Sequence, residues 1–330
     1  MPTALITGIN GQDGSYLAEL LLERGYRVVG LMRPDAATRQ QRIDHLRQRI
    51  ELVYASLLDE THLRQVIGQY RPNEVYNFAA RASSSQLFAD PVLTGDFNGL
   101  AVVRLLEAIR AVDTTIRFCQ ASSSEMFGEA AQSPQDESTP FRPRNPYGVA
   151  KLFAHGMVGT YRENFGLFAC SSILFNHESP RRGPEFVTRK IAMGVARIKA
   201  GLVGSLQLGS LQATRDWGYA GDYVHAMWRM LQVQSPDDYV VATGESHSVR
   251  EFCEIAFAHV GLDYRNHVQL DPSAQRPRES VRLVGDAAKA RTNLGWRPTL
   301  SFEQLVHRMV DADIDRLDQH VACPSTTQRT

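Results

Sequence analysis

Short runs of apolar, often β-branched residues alternate with longer stretches whose apolar positions recur every three or four residues, and this alternation organises the first half of the chain. ALITGI (4–9) and RVVGLM (27–32) have no regular polar face, the pattern of strands buried on both sides of a parallel sheet. Between them SYLAELLLERGY spaces its apolar residues at helical intervals and stops near Gly25, a residue type that readily ends helices. IELVYASL, EVYNFAA, IRFCQASS and FACSSILFN continue the strand series, separated by the helical patterns THLRQVIGQY and LAVVRLLEAIRAV. Strand and helix in turn predict an α/β fold with a doubly wound parallel sheet. After about residue 176 the alternation weakens and arginine-rich loops interrupt the helices. The pattern therefore divides the chain into a sheet-forming unit over 1–175 and a smaller C-terminal α/β unit over 176–330. DYVHAMWRMLQ (222–232) is expected to be a helix packed back on the sheet, within a return spanning about 210–235.

At the join of the first strand and first helix, TGINGQDGSYL places Gly8, Gly11 and Gly14 in a GxxGxxG spacing. Glycines there permit a tight turn and close backbone approach, and the N–H groups of a helix start suit a pyrophosphate. The same glycines would also close an ordinary strand-to-helix turn; their place at the start of an α/β chain is what points to a dinucleotide. The second strand ends LMRPD, with Arg33 ahead of Asp35. An acidic residue at that point suits the ribose hydroxyls of NAD, and an arginine suits the 2′-phosphate of NADP. The order reads as an NADP site with Arg39 as a weaker second contact, the alternative being a solvated surface arginine.

ASSSEMFG (121–128) follows another buried strand and sets Glu125 behind three serines, where open α/β sheets bind ligands. A capping or salt-bridging carboxylate is the plainer reading of Glu125. In PYGVAK, Tyr147 and Lys151 stand four apart at the start of a helical pattern, which puts both on one helix face. A phenol is a poor base at neutral pH, and a neighbouring ammonium together with a positively charged nicotinamide would favour the phenolate.

Composition narrows the partners. Thirty-six basic residues balance thirty-six acidic ones, so no overall field argues for nucleic acid or an anionic membrane, and an anionic ligand must be held by local cations. Cys119, Cys170, Cys253 and Cys323 lie far apart without metal-ligand spacing, which favours reduced thiols in a cytoplasmic protein over a disulfide or zinc framework. No basic leader precedes the first apolar run, and no run approaches the roughly 20 apolar residues of a membrane span.

TGINGQDGSYL, QASSSEMFG, PYGVAK, ILFNHESPRRG, EFVTRK, RDWGYAGDYV, ATGESHSVREF and the late LGW together resemble the extended short-chain dehydrogenase/reductases and, within them, the GDP-mannose 4,6-dehydratase family, from about residue 4 to about residue 310. The resemblance implies a Rossmann sheet with a GDP-sugar-binding second unit, and a hydro-lyase reaction. Carbon 4 of the sugar is oxidised, water is eliminated across carbons 5 and 6, and the hydride returns to carbon 6. It implies Tyr147 as base at the carbon 4 hydroxyl, Lys151 as its electrostatic partner and ribose anchor, and Glu125 as the acid–base group of the elimination. Ser123 stands where the family usually has threonine and keeps the hydroxyl that bonds the developing oxyanion. The cofactor residues implied are Gly8, Gly11, Gln12, Asp13, Gly14, Arg33 and Ala79, with Tyr147 and Lys151. Those implied for the substrate are Asn176, Val187, Lys190, Arg215, Arg276 and Glu279, whose cations suit a diphosphate and whose carboxylate suits ribose hydroxyls. A homodimer or homotetramer is implied as well. Glu178 and the SPRRG arginines read as structural or interfacial.

The sequence departs from the family at AARASSS, where Arg81, Ala82 and Ser83 replace residues expected near the sugar and nicotinamide. It departs again at YASL, where Ser56 replaces an aspartate expected at the adenine edge, and at MRPDAAT, which replaces a paired-arginine loop that joins subunits in tetrameric relatives. A related GDP-sugar such as a heptose, a 4-epimerase or reductase on the same scaffold, or a non-catalytic nucleotide binder are the alternatives. Epimerases and reductases need no base at carbon 5, so Glu125 favours the dehydratase.

Overall fold

The computed structural model describes residues 1–34, 41–81, 88, 90–271 and 282–322. Of the positions singled out above, Asp35, Arg39, Ala82, Ser83, Arg276, Glu279 and Cys323 lie outside the described residues. The chain begins with β1 (Thr3–Thr7), α1 (Gln12–Glu23), β2 (Arg27–Met32), β3 (Glu51–Tyr54), α2 (Glu60–Tyr70) and β4 (Glu74–Asn77). A short α3 (Pro91–Gly95) then runs through a π-helical turn (Asp96–Leu100) into α4 (Ala101–Val112), followed by β5 (Arg117–Ala121), α5 (Pro146–Phe165) and β6 (Ala169–Leu174). The second part contains β7 (Asn176–Glu178), α6 (Val187–Lys199), β8 (Leu206–Leu208), β9 (Thr214–Arg215), β10 (Trp217–Tyr219) and α7 (Ala220–Met230). It closes with β11 (Tyr239–Val241), β12 (His247–Ser248), α8 (Val249–His259), β13 (Val268–Leu270), α9 (Ala288–Leu294) and α10 (Phe302–Ala322).

Seven strands form one sheet in the order β11-β6-β5-β4-β1-β2-β3, parallel at every pairing. The doubly wound prediction holds. Chain order reverses beside β1, so the switch point lies between β1 and β4, where such sheets open a crevice for ligands.

Alternation along each strand builds two core layers. Ala4 and Ile6 of β1 join Leu17, Ala18 and Leu21 of α1 and Val224, Met227 and Met230 of α7 on one face. Leu5 joins Leu63 and Ile67 of α2, Leu105 and Ile109 of α4 and Val158 of α5 on the other. Burying each such side chain contributes about 1.5–3 kcal/mol. A separate cluster around Ile191, Trp217, Phe252, Val306 and Met309 ties α6, α8 and α10 together. The later sequence also reaches the sheet: α7 packs on α1, β11 pairs with β6, and α9 lies against β11.

Cys119 and Cys170 occupy facing register positions on β5 and β6 as buried free thiols, as is Cys253 on α8. Burial pushes the Cys170 thiol up to about 12. Among the described residues no helix is long and apolar enough to cross a membrane.

Candidate active site

The glycine loop leaves β1 at Gly8, whose φ of +68° lies in the left-handed region; a Cβ there would stand 2.9 Å from the backbone nitrogen of Ala79. A Cβ on Gly14 would lie 2.4 Å from the Gly8 carbonyl oxygen, so this glycine lets α1 start directly against the loop. Gly11 caps α1 without any side-chain acceptor, which leaves the first-turn N–H groups to an anion. This cradle, too close for side chains and ending in uncapped amides, fits a dinucleotide pyrophosphate.

Gln12 and Asp13 spend their side chains on the segment after β6. Gln12 Nε2 donates to the His177 carbonyl at 3.0 Å, and Ser179 Oγ donates to Gln12 Oε1 at 2.7 Å. His177 Nδ1 lies 2.8 Å from the Phe175 carbonyl, and its Nε2 lies 2.9 Å from Asp13 Oδ2. A carbonyl and a carboxylate both accept, so both ring nitrogens carry protons and the ring is an imidazolium. Burial by itself lowers the His177 pKa, but the charge of Asp13 and its hydrogen bond reverse this and raise it. Burial likewise raises the Asp13 carboxyl, and His177 overcomes it and lowers the value. Arg181 extends the clamp by donating to Ser15 Oγ at 3.1 Å and pairing with Glu19. Sequence reading gave His177 no role; the repeated polar residues of NHESPRRG were its only trace.

Past β2, the Arg33 guanidinium stands 5.7 Å from the Phe97 ring. Ser56, in place of the expected aspartate, accepts the Leu58 N–H at 3.2 Å and closes a turn. Arg81 is held through its backbone: its N–H donates to Asn98 Oδ1 at 3.0 Å and its carbonyl accepts from Asn98 Nδ2 at 3.2 Å. Asn98 sits in the π-helical turn before α4. A buried polar chain crosses the strand ends from there. Ala79 N–H donates to Thr7 Oγ1, Thr7 donates to Asn77 Oδ1, Asn77 Nδ2 donates to Gln120 Oε1 at 2.7 Å, and Gln120 Nε2 donates to the Ala121 carbonyl at 2.7 Å.

That carbonyl also accepts from Lys151 Nζ at 2.7 Å. Lys151 is buried on α5, one turn beyond Tyr147, with its Nζ 5.6 Å from the tyrosine ring centre. Burial lowers the Lys151 pKa to about 8, offset in part by Asp13. For Tyr147, burial is the largest influence and raises the pKa to about 12; a hydrogen bond from Ser123 pulls it down while Glu125 pushes it up. Loss of hydration and the nearby Glu125 charge thus outweigh the Ser123 hydrogen bond and favour the neutral phenol in the ligand-free protein.

Ser123 begins a 3-10 turn (Ser124–Met126) and accepts the Glu125 N–H on Oγ at 3.2 Å. Glu125, half-buried, accepts from Asn145 Nδ2 on Oε2 at 2.8 Å. Ser123, Glu125, Tyr147 and Lys151 therefore form one cluster at the carboxyl end of β5. Asn176, Val187, Lys190 and Arg215 stand on separate elements of the second part. Asn176 opens β7 beside Trp217, Val187 opens α6 with exposed Lys190 one turn on, and Arg215 lies opposite His247. The start of α6 has no side-chain cap, which with Lys190 suits an anion.

The sequence profile of a family described as GDP-mannose 4,6 dehydratase matches residues 5–309. GDP-mannose 4,6 dehydratase 1 of Arabidopsis thaliana is 50% identical over 324 residues, covering 94% of this chain and 90% of the relative. GDP-mannose 4,6-dehydratase of Vibrio cholerae serotype O1 is 43% identical over 353 residues, covering 96% and 95%. Among solved structures, UDP-glucose 4-epimerase of Thermus thermophilus in complex with NAD superposes with a TM-score of 0.81 at 28% identity, covering 94% of this chain and 98% of that one.

Proposed function

The chain belongs to the GDP-mannose 4,6-dehydratase family, and from that premise we propose that it converts GDP-mannose to GDP-4-keto-6-deoxymannose, a hydro-lyase reaction without net redox change. Bound in the cleft of the Gly8–Gly14 loop, a nicotinamide dinucleotide supplies the reversible hydride acceptor that this chemistry needs. The protein's own groups do the rest. The first-turn amides of α1 bind the pyrophosphate, and Arg33 pairs with the 2′-phosphate that makes the cofactor NADP. Tyr147 takes the proton of the carbon 4 hydroxyl. Burial holds the phenol protonated in the ligand-free protein, and the Lys151 ammonium together with the positive charge of a bound oxidised nicotinamide would favour the phenolate. Ser123 donates to the developing carbonyl oxygen. Glu125 removes the carbon 5 proton, the C5–H electron pair forms the C5–C6 double bond, the C6–O bond breaks, and the proton leaves on the hydroxyl as water; return of the hydride to carbon 6 and uptake of a solvent proton at carbon 5 then give the 4-keto-6-deoxy sugar with no net oxidation.

The observation that carries this reading is a carboxylate, Glu125, held in one cluster with Ser123, Tyr147 and Lys151. An epimerase would not need it. Asn176, Lys190 and Arg215, together with Arg276 and Glu279, are assigned to the GDP moiety. Exposed Val92, Leu100, Val149 and Phe153 on α3, the π turn and α5 form an apolar face suited to a second copy of the chain, which makes the enzyme a homo-oligomer. Buried free thiols suit a reducing cytoplasm. Incubation with GDP-mannose and catalytic NADP in deuterated water tests the reaction by mass spectrometry. The expected product has lost one water and gained deuterium at carbon 5; an unchanged GDP-mannose refutes the assignment.

A further inference from the structure

We infer that Asn145 is a positioning residue for the elimination: one amide both starts α5 and aims the Glu125 carboxylate. This rests on the dehydratase reading above. The orientation of the amide is fixed by chemistry. Its Oδ1 accepts the Gly148 N–H at 2.8 Å, which only an oxygen can do, so the other end must be the NH2 group. That NH2 group donates to Glu125 Oε2 at 2.8 Å, a hydrogen bond to a charged acceptor. Among the described residues no donor reaches Oε1, which is left as the oxygen that can take a carbon 5 proton.

The backbone around this link is tied in the same way. Arg142 N–H donates to the Met126 carbonyl at 3.0 Å, and Glu129 N–H donates to the Arg142 carbonyl at 3.0 Å, zipping the turn that carries Glu125 to the strand of chain that enters α5. Gly148 lies so close that a Cβ on it would be 2.6 Å from the Glu125 carbonyl oxygen. Two residues after Asn145 comes Tyr147. The base for carbon 4 and the base for carbon 5 are therefore both referenced to one helix turn, with Asn145 as the side-chain strut. Catalysis that uses two groups on adjacent carbons needs their separation fixed, since small misplacements of a reacting group are costly.

Helix capping and carboxylate positioning are separable by substitution, because serine and aspartate cap nearly as well as asparagine. Asn145→Ser keeps an acceptor for Gly148 but is too short to reach Glu125; Asn145→Asp keeps the cap and turns a like charge toward the carboxylate. Both variants should bind NADP and melt like the wild type. Asn145→Ser should lower kcat about tenfold with KM unchanged. It should slow deuterium entry at carbon 5 and let reduced cofactor accumulate in a single turnover, since oxidation at carbon 4 precedes the slowed elimination and the hydride returns only after water has left. Asn145→Asp should do the same more strongly. Wild-type kcat and wild-type deuterium entry in Asn145→Ser would reduce the residue to a helix cap, as would a loss of activity matched by loss of NADP binding. A wild-type enzyme that removes no water from GDP-mannose overturns the dehydratase reading itself, and this inference with it.

Discussion

Between β1 and α1 the groups assigned to the cofactor are backbone groups, whereas at the end of β5 the groups assigned to the reaction are side chains that other side chains position. Gly8, Gly11 and Gly14 contribute amides and the absence of atoms. Ser123, Glu125, Tyr147 and Lys151 contribute polar side-chain atoms, and burial raises the pKa of Tyr147 and lowers that of Lys151. The first region should be intolerant of added volume and indifferent to most pH changes. The second should tolerate no loss of a donor or a charge, and it carries a cost in stability. A buried cation at Lys151 is unfavourable for folding and useful only for chemistry.

Glu125→Gln gives the largest expected effect. Water elimination should fall about a thousandfold, the scale of a lost general base, while NADP binding and oxidation at carbon 4 persist and reduced cofactor accumulates in a rapid-mixing experiment. Next comes Lys151→Met. The folded-state pKa of Lys151 is lowered from 10.5 to about 8. The unfolded chain therefore binds the proton more tightly, and stability climbs as pH rises between those values. Removing the charge should stabilise the ligand-free protein by about 3 kcal/mol at pH 7 and flatten that climb in urea unfolding, with activity lost. Ala121 keeps Gln120 as its donor in that variant.

Gly14→Ala should cost about 2 kcal/mol and abolish NADP binding, because its Cβ meets fixed backbone. Gly156→Ala on the exposed face of α5 meets nothing within 4 Å and should stabilise by about 0.5–1 kcal/mol by thermal unfolding. Opposite signs for the same chemical change would show that shape, not glycine as such, distinguishes the loop. The smallest effect belongs to the Asp13–His177 pair beside the glycine loop. Asp13 has a lowered pKa, so its contribution is present above 3.8 and lost as pH falls through the lowered value. His177 has a raised pKa, so its contribution is complete below 6.5 and lost as pH rises through the raised value. Protection of the loop amides from hydrogen exchange should weaken on the alkaline side and lose that dependence in His177→Asn.

The parts legible in the sequence are those whose determinants are neighbours along the chain. The strand β1, the glycine loop and α1 come from one stretch, and their period and glycine spacing announced them. Tyr147 and Lys151 were legible because four residues make one helix turn. The strand β11 was not, since three residues, YVV, carry no readable period. Nor was the clamp of His177 on Asp13, which joins positions 164 residues apart, or the hold of Asn98 on Arg81 through a π-helical turn.

Sequence alone determined the doubly wound alternation, the dinucleotide loop, the residue types of the reaction and the family, because periodicity and short motifs are local facts about covalent neighbours. Tertiary structure decided the seventh strand, the ion pair that locks the cofactor loop, the side-chain strut on Glu125 and the raised phenol of Tyr147. Each of these depends on which distant groups displace water from a given atom, and hydration is lost only when the chain has folded.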